Sequence, residues 1–141
     1  MDDPYGLARF VAAQDAGGTY ERAVAELRGG RKTSHWMWFV FPQIAGLGRS
    51  PTSQWYSISS LDEARAYLDH PVLGQRLREC AGILAALADR DAERIFGAVD
   101  ALKLRSSMTL FRLADPDEAL FGQVLAGYFD GMPDPATEQL S

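Results

Sequence analysis

Two short stretches hold most of the residues able to do chemistry. The first runs Ser34-His35-Trp36-Met37-Trp38-Phe39-Val40-Phe41-Pro42-Gln43 and continues through Gly46-Leu47-Gly48-Arg49-Ser50. It sets an imidazole, able to serve as acid or base, beside two indoles able to stack on a base or ring. The second surrounds Asp100, Lys103 and Ser107. At 100° per residue, Lys103 and Ser107 share the arc of Leu104, Leu110 and Phe111, so an ammonium and a hydroxyl fall on an apolar helix face. Such an ammonium either snorkels to water or is held by partners, because burying it unpaired is strongly unfavourable. Desolvation would lower its pKa and open the roles of base, nucleophile or phosphate ligand.

The placement of charge points to the same stretches. The chain carries 14 basic and 19 acidic residues, a formal charge of -5. That balance disfavours general electrostatic coating of nucleic acid or anionic membrane, so an anionic partner must be met locally. From Arg28 through Leu61 there is no Asp or Glu, yet Arg28, Arg31, Lys32 and Arg49 are present; from Ala101 through Ala114 the pattern recurs with Lys103, Arg105 and Arg112. If the two windows meet in space, their summed potential attracts phosphate or carboxylate. The Gly-x-Gly-Arg-Ser turn can aim N–H groups and a guanidinium at an anion. It has neither the third glycine of a dinucleotide fingerprint nor the Gly-Lys-Ser/Thr of a P-loop.

Other chemistries find no support. A single cysteine, Cys80, forms no internal disulfide, and no Cys/His cluster has zinc spacing, so neither metal nor cofactor is expected. Cys80 sits on an apolar stripe and reads as inert. His70, preceding Pro71, reads as a turn or cap residue. No Gly-x-Ser-x-Gly elbow, His-Glu-x-x-His or calcium loop is present. The start Met1-Asp2-Asp3-Pro4 lacks the basic region of a secretory leader, and the strongly apolar run Trp36 to Phe41 is six residues, where a membrane helix needs about 20. The expectation is a cytoplasmic protein with no membrane partner.

The elements that must position these residues are mostly helical. With 141 residues, 47% of them hydrophobic, the chain suits one globular domain, 1–141, with a substantial core. Asp3-Pro4 predicts a helix start with Leu7, Phe10 and Val11 facing inward, and Thr19 a second start, with Tyr20, Val24 and Leu27 inward and Gly29-Gly30 as the stop. Ser60 and Glu63 form a capping box. Pro71 opens a long helix whose Leu73, Leu77, Cys80, Leu84 and Leu87 line one stripe. Asp100 predicts a cap for a helix through about Leu113, and Asp115-Pro116-Asp117-Glu118 opens another that Gly131 ends. A last turn follows Pro135. Residues 33–60 stay open between helix and strand, because Trp36 to Phe41 is apolar on every face and Trp55 to Ser59 alternates without an evident partner. The fold class is all-α: a single multihelical domain, an irregular array of about six to eight short and long helices.

At these residues the chain resembles a known family. The run Gly30 to Gln43 with its Ser-His-Trp-Met-Trp block, then Gly46-Leu47-Gly48-Arg49-Ser50, His70-Pro71-Val72-Leu73-Gly74, and Asp100 to Phe111 with Ser-Ser-Met-Thr-Leu-Phe, is similar to domain-of-unknown-function family eighteen-ten. The resemblance covers nearly the whole chain and implies a multihelical, small cytoplasmic protein without an established activity. Members are sometimes labelled calpastatin-like, although a compact apolar domain does not resemble a disordered inhibitor. Analogy with YbiA-like proteins, which act on ADP-ribose adducts, makes the expectation concrete: a pocket for a nucleotide-like anion such as an ADP-ribose derivative, with N-glycosidic hydrolysis as the reaction. Arg31, Lys32 and Arg49 would hold phosphate, Trp36 or Trp38 would stack on a ring, and Ser34, Gln43 and Ser50 would complete the binding set. Lys103, Ser107 and His35 would stand near the reacting sugar, with Asp100 balancing Lys103 or a developing oxocarbenium ion. The alternative is a non-enzymatic module, either a protein interface built on the aromatic segment or a sensor of small molecules.

Overall fold

The computed structural model describes residues 3–88 and 90–141. Its helices are α1 (Ala8–Asp15), α2 (Thr19–Arg28), α3 (Met37–Val40), α4 (Pro51–Trp55), α5 (Leu61–Asp69), α6 (Leu73–Ala86), α7 (Ala92–Phe96), α8 (Ala98–Ala114), α9 (Ala119–Phe129) and α10 (Pro135–Leu140). Six of them are eight residues or longer, and the other four are single-turn pieces, which gives the irregular all-helical array. No described helix is long and apolar enough to cross a membrane.

The longest helix, α8, is the axis. It contacts α5, α7, α9 and α10, and from Ser106 to Phe111 every residue is buried. Over that stretch the helix is enclosed on all sides and cannot be amphipathic, so its buried residues include Ser106, Ser107 and Thr109. The stripe expected on α6 is present: Leu73, Leu77, Cys80 and Leu84 are buried against neighbours that include α9, α5 and α2. Burial pushes the Cys80 thiol up to about 12, which keeps it protonated. His70 caps that helix's approach, its Nδ1 accepting from the Val72 and Leu73 N–H groups at 3.1 and 3.2 Å.

Several helix starts differ from expectation. The Asp3 carboxylate does accept two N–H groups, from Leu7 and Ala8 at 2.7 and 3.0 Å, but α1 begins only at Ala8. Thr19 is the first residue of α2 rather than its cap; its hydroxyl donates back to the Ala16 carbonyl, and Gly18 occupies the cap position. Asp100 is likewise inside α8, whose cap position is Gly97. Its carboxylate is thereby free for side-chain partners. Between 33 and 60 both readings hold in part: α3 and α4 are short helices, and an isolated parallel bridge joins Ile44 to Ile58. Ser50 caps α4 by accepting from the Ser53 N–H, with Pro51 at the first helical position.

α6 meets the end of α5 at Gly74. A Cβ built there would lie 2.0 Å from the Leu68 carbonyl oxygen, whereas one at Gly82, also within α6, would meet nothing within 4 Å. We therefore expect G74A to cost about 3 kcal/mol or more through forced displacement of backbone. G82A should gain about 0.5–1 kcal/mol from helix propensity. Urea denaturation of both variants checks this; equal midpoints would contradict the close approach.

Candidate functional site

The aromatic segment is held down by a carboxylate on α2. Glu26 accepts from the Thr33 N–H (2.8 Å), the Ser34 N–H (3.0 Å), the Ser34 hydroxyl (2.5 Å) and the Trp36 indole N–H (2.9 Å). Burial pushes its pKa up, but the hydrogen bonds from Ser34, Thr33 and Trp36 outweigh it and bring the value to about 2. Ser34 is thus spent on the fold. So is Trp36, which is 0% exposed and sits among Phe41 and Phe96. No face of its ring is open for stacking.

A second carboxylate ties the same segment to α8. Asp100 lies 2.8 Å from the Lys32 ammonium and 3.2 Å from that of Lys103. Burial alone would raise its pKa; the bond to Lys32 and that cation's charge, then those of Lys103, hold it below the ordinary carboxylate range. The Lys32 side chain is only 8% exposed, with its ammonium 5.2 Å from the Trp36 ring centre. Lys103 is 22% exposed, between the free snorkel and the sealed interior, and its ammonium lies 4.7 Å from the centre of the Trp38 ring.

Trp38 and Lys103 open onto a hollow of about 520 Å³, walled also by Gln43, Arg49, Ser50, Ser53, Ser106 and Asp134. Val99 and Leu102 add apolar surface, 68% and 63% exposed. Arg49 makes no side-chain ion pair or hydrogen bond among the described residues. The Asp134 carboxylate, by contrast, is occupied by the Thr137 N–H and hydroxyl and by the Ser106 hydroxyl. A smaller chamber of about 140 Å³ shares the Trp38, Gln43, Gly48 and Ser53 walls and extends to Gln54, Tyr56 and Ser57. Ser53, Gln54 and Ser57 spend hydrogen bonds on backbone carbonyls, whereas the Gln43 carboxamide and Tyr56 hydroxyl have none among the described residues.

The fold therefore gathers Trp38, Gln43, Arg49, Ser50 and Lys103, and separates the rest of the expected set. Arg31 lines a different hollow. His35 is exposed and outside the lining of this one. Ser107 is fully buried, its hydroxyl without a hydrogen bond among the described residues, and it is Ser106 that reaches the hollow. Asp100 is saturated by two ammonium groups. Sequence reasoning missed Ser106, Val99 and Leu102, because their facing depends on which sides of α8 other helices cover; it missed Glu26 because its partners lie seven to ten residues away. The Ser50–Ser53 cap beside Pro51 was a readable signal for α4. No described group of His, Cys, Asp and Glu is placed to hold a metal ion.

A family model described as a protein of unknown function (DUF1810) matches residues 4–140. The crystal structure of the conserved hypothetical protein Rv1873 from Mycobacterium tuberculosis is similar, with a TM-score of 0.94 and 52% identity over 98% of this chain and 97% of that one. No curated protein matches.

The Glu26 clamp has a pH signature. Its folded pKa, about 2, is below the ordinary 4.5, so its stabilisation is complete above the unfolded value and is lost as pH falls towards the folded one. The urea midpoint of the wild type should drop more steeply from pH 5.5 to 2.5 than that of E26Q, and E26Q should lose about 1–3 kcal/mol at pH 7. Parallel curves would show that the carboxylate is not the clamp.

Proposed function

The chain belongs to the DUF1810 family of proteins of unknown function, and from the hollow beside α8 we propose that it binds a small nucleotide-like anion, an ADP-ribose derivative being the concrete candidate. The observation that carries this reading is the Lys103 ammonium held 4.7 Å from the Trp38 ring centre on the wall of the hollow that Arg49 also lines. A phosphate meets the charge of Lys103 and the guanidinium fork of Arg49. A planar ring finds the indole, and Gln43 and Tyr56 supply unspent hydrogen-bonding groups in the adjoining chamber.

Binding without turnover is favoured over N-glycosidic hydrolysis. The groups suited to acid–base or nucleophilic work are elsewhere or engaged: His35 outside the lining, Ser107 sealed, Asp100 paired with Lys32 and Lys103. The site then acts as a sensor or carrier of its ligand. A second reading, a protein-docking surface, is supported by the exposure of Val99 and Leu102 beside the hollow.

Calorimetry with ADP-ribose and with nucleoside monophosphates tests the proposal. K103M should weaken binding about tenfold or more, since a hydrogen bond to a charged group is worth roughly 1.5–3 kcal/mol, and W38A comparably, since stacking of a base on an aromatic ring is worth about 1–3 kcal/mol. H35A should bind like the wild type, and no ribose or base should be released on prolonged incubation. No saturable binding at millimolar ligand would remove the reading; release of base abolished by H35A would restore the enzyme.

A further inference from the structure

Arg31, expected beside Arg49, instead joins Arg28 and Arg94 around a second hollow of about 600 Å³ completed by Gly29, Gly30 and Leu87. Among the described residues it shares no lining residue with the Trp38 hollow. Its frame is built from backbone. The Ala25, Glu26 and Leu27 carbonyls at the end of α2 accept from the Gly29, Arg31 and Gly30 N–H groups, each at 3.0 Å, which satisfies the negative end of the helix. Gly30, at φ 73°, turns the chain where an L side chain would be strained. The Lys32 N–H then donates to the Ile95 carbonyl at 2.7 Å and ties the turn to α7, the helix that carries Arg94.

Two of the charges in this hollow, those of Arg28 and Arg31, are not spent on the described residues. Glu26, the acid of α2 closest in sequence, has its carboxylate bound to Thr33, Ser34 and Trp36. The Arg28 and Arg31 side chains make no hydrogen bond or ion pair among the described residues. Cations clustered in this way on a chain of net charge -5 create a local field opposed to the whole. Guanidinium forks match phosphate oxygens bidentately. The hollow is far larger than one phosphate, and among the described residues Leu87 is its one apolar side chain, so it lacks the anchor pockets that a peptide partner uses.

We infer that Arg28 and Arg31, on the hollow whose wall Arg94 completes, form a second anion site, for an oligophosphate, separate from the nucleotide hollow. Sodium triphosphate titrated calorimetrically into the full chain at fixed ionic strength tests it, with R28A/R31A, R31K and K103M beside the wild type. Saturable binding should persist in K103M and weaken about tenfold or more in R28A/R31A. R31K, which keeps the charge and loses the fork, should fall between them. Unchanged circular-dichroism melting would establish that the exposed substitutions leave the fold intact. Three results overturn the site: no saturation at millimolar triphosphate, equal binding by wild type and R28A/R31A, or loss in K103M alone, which would put the phosphates against Trp38. Binding of an acidic peptide without binding of triphosphate overturns it too. Because ADP-ribose is read out by K103M and triphosphate by R28A/R31A, either proposal can fail while the other stands.

Discussion

A lysine with 8% of its side chain exposed needs a carboxylate, and in this protein the need is met by Asp100. The carboxylate sits in the first turn of α8, where the helix end also favours negative charge. It joins Lys32, from the loop after α2, to Lys103, one turn along α8, so the chain is moored to its central helix at the point where the aromatic segment begins. Two cations share one anion, and the trio keeps a positive charge. Lys103, the more exposed of the two, carries that charge to the hollow. The same contact that fixes the loop therefore sets the electrostatics of the site.

The mooring also explains why two tryptophans in one short segment have different fates. Trp36 is drawn inward by the Glu26 carboxylate and packs on Phe41 and Phe96. Trp38, two residues on, lies inside α3, whereas Trp36 is its cap position with non-helical backbone, so the two indoles leave the chain on different sides. It becomes wall rather than core. The cations part in a similar way: Arg31 and Lys32, adjacent in sequence, lie in one hollow and in the ion trio beside the other. The acid-free stretch serves two electropositive depressions rather than one.

Much of the architecture was legible. The α6 stripe, the Ser60 cap on Glu63, the glycine stop after α2 and the His70 cap are local, and each is written within four residues of the group it satisfies. The likeness of Lys103 and Ser107 in helical phase was also real. What phase could not say is that α8 is enclosed from Ser106 to Phe111, so that Ser107 is sealed while its neighbour Ser106 borders a cavity. In an enclosed helix the hydrophobic arc no longer marks one inner face.

The amino-acid order by itself determined the helical class, the Ser60 cap and the glycine stop after α2, the inert thiol and the two windows from which acids are excluded. Short-range hydrogen bonds and the 3.6-residue period act between neighbours, and composition is read by counting. Only the tertiary structure decided which cations face a common hollow, which indole is core and which carboxylates bind them. Those outcomes depend on contacts between residues such as Lys32 and Asp100, far apart along the chain. No local spacing rule encodes such a pairing; it follows from how the helices close around α8.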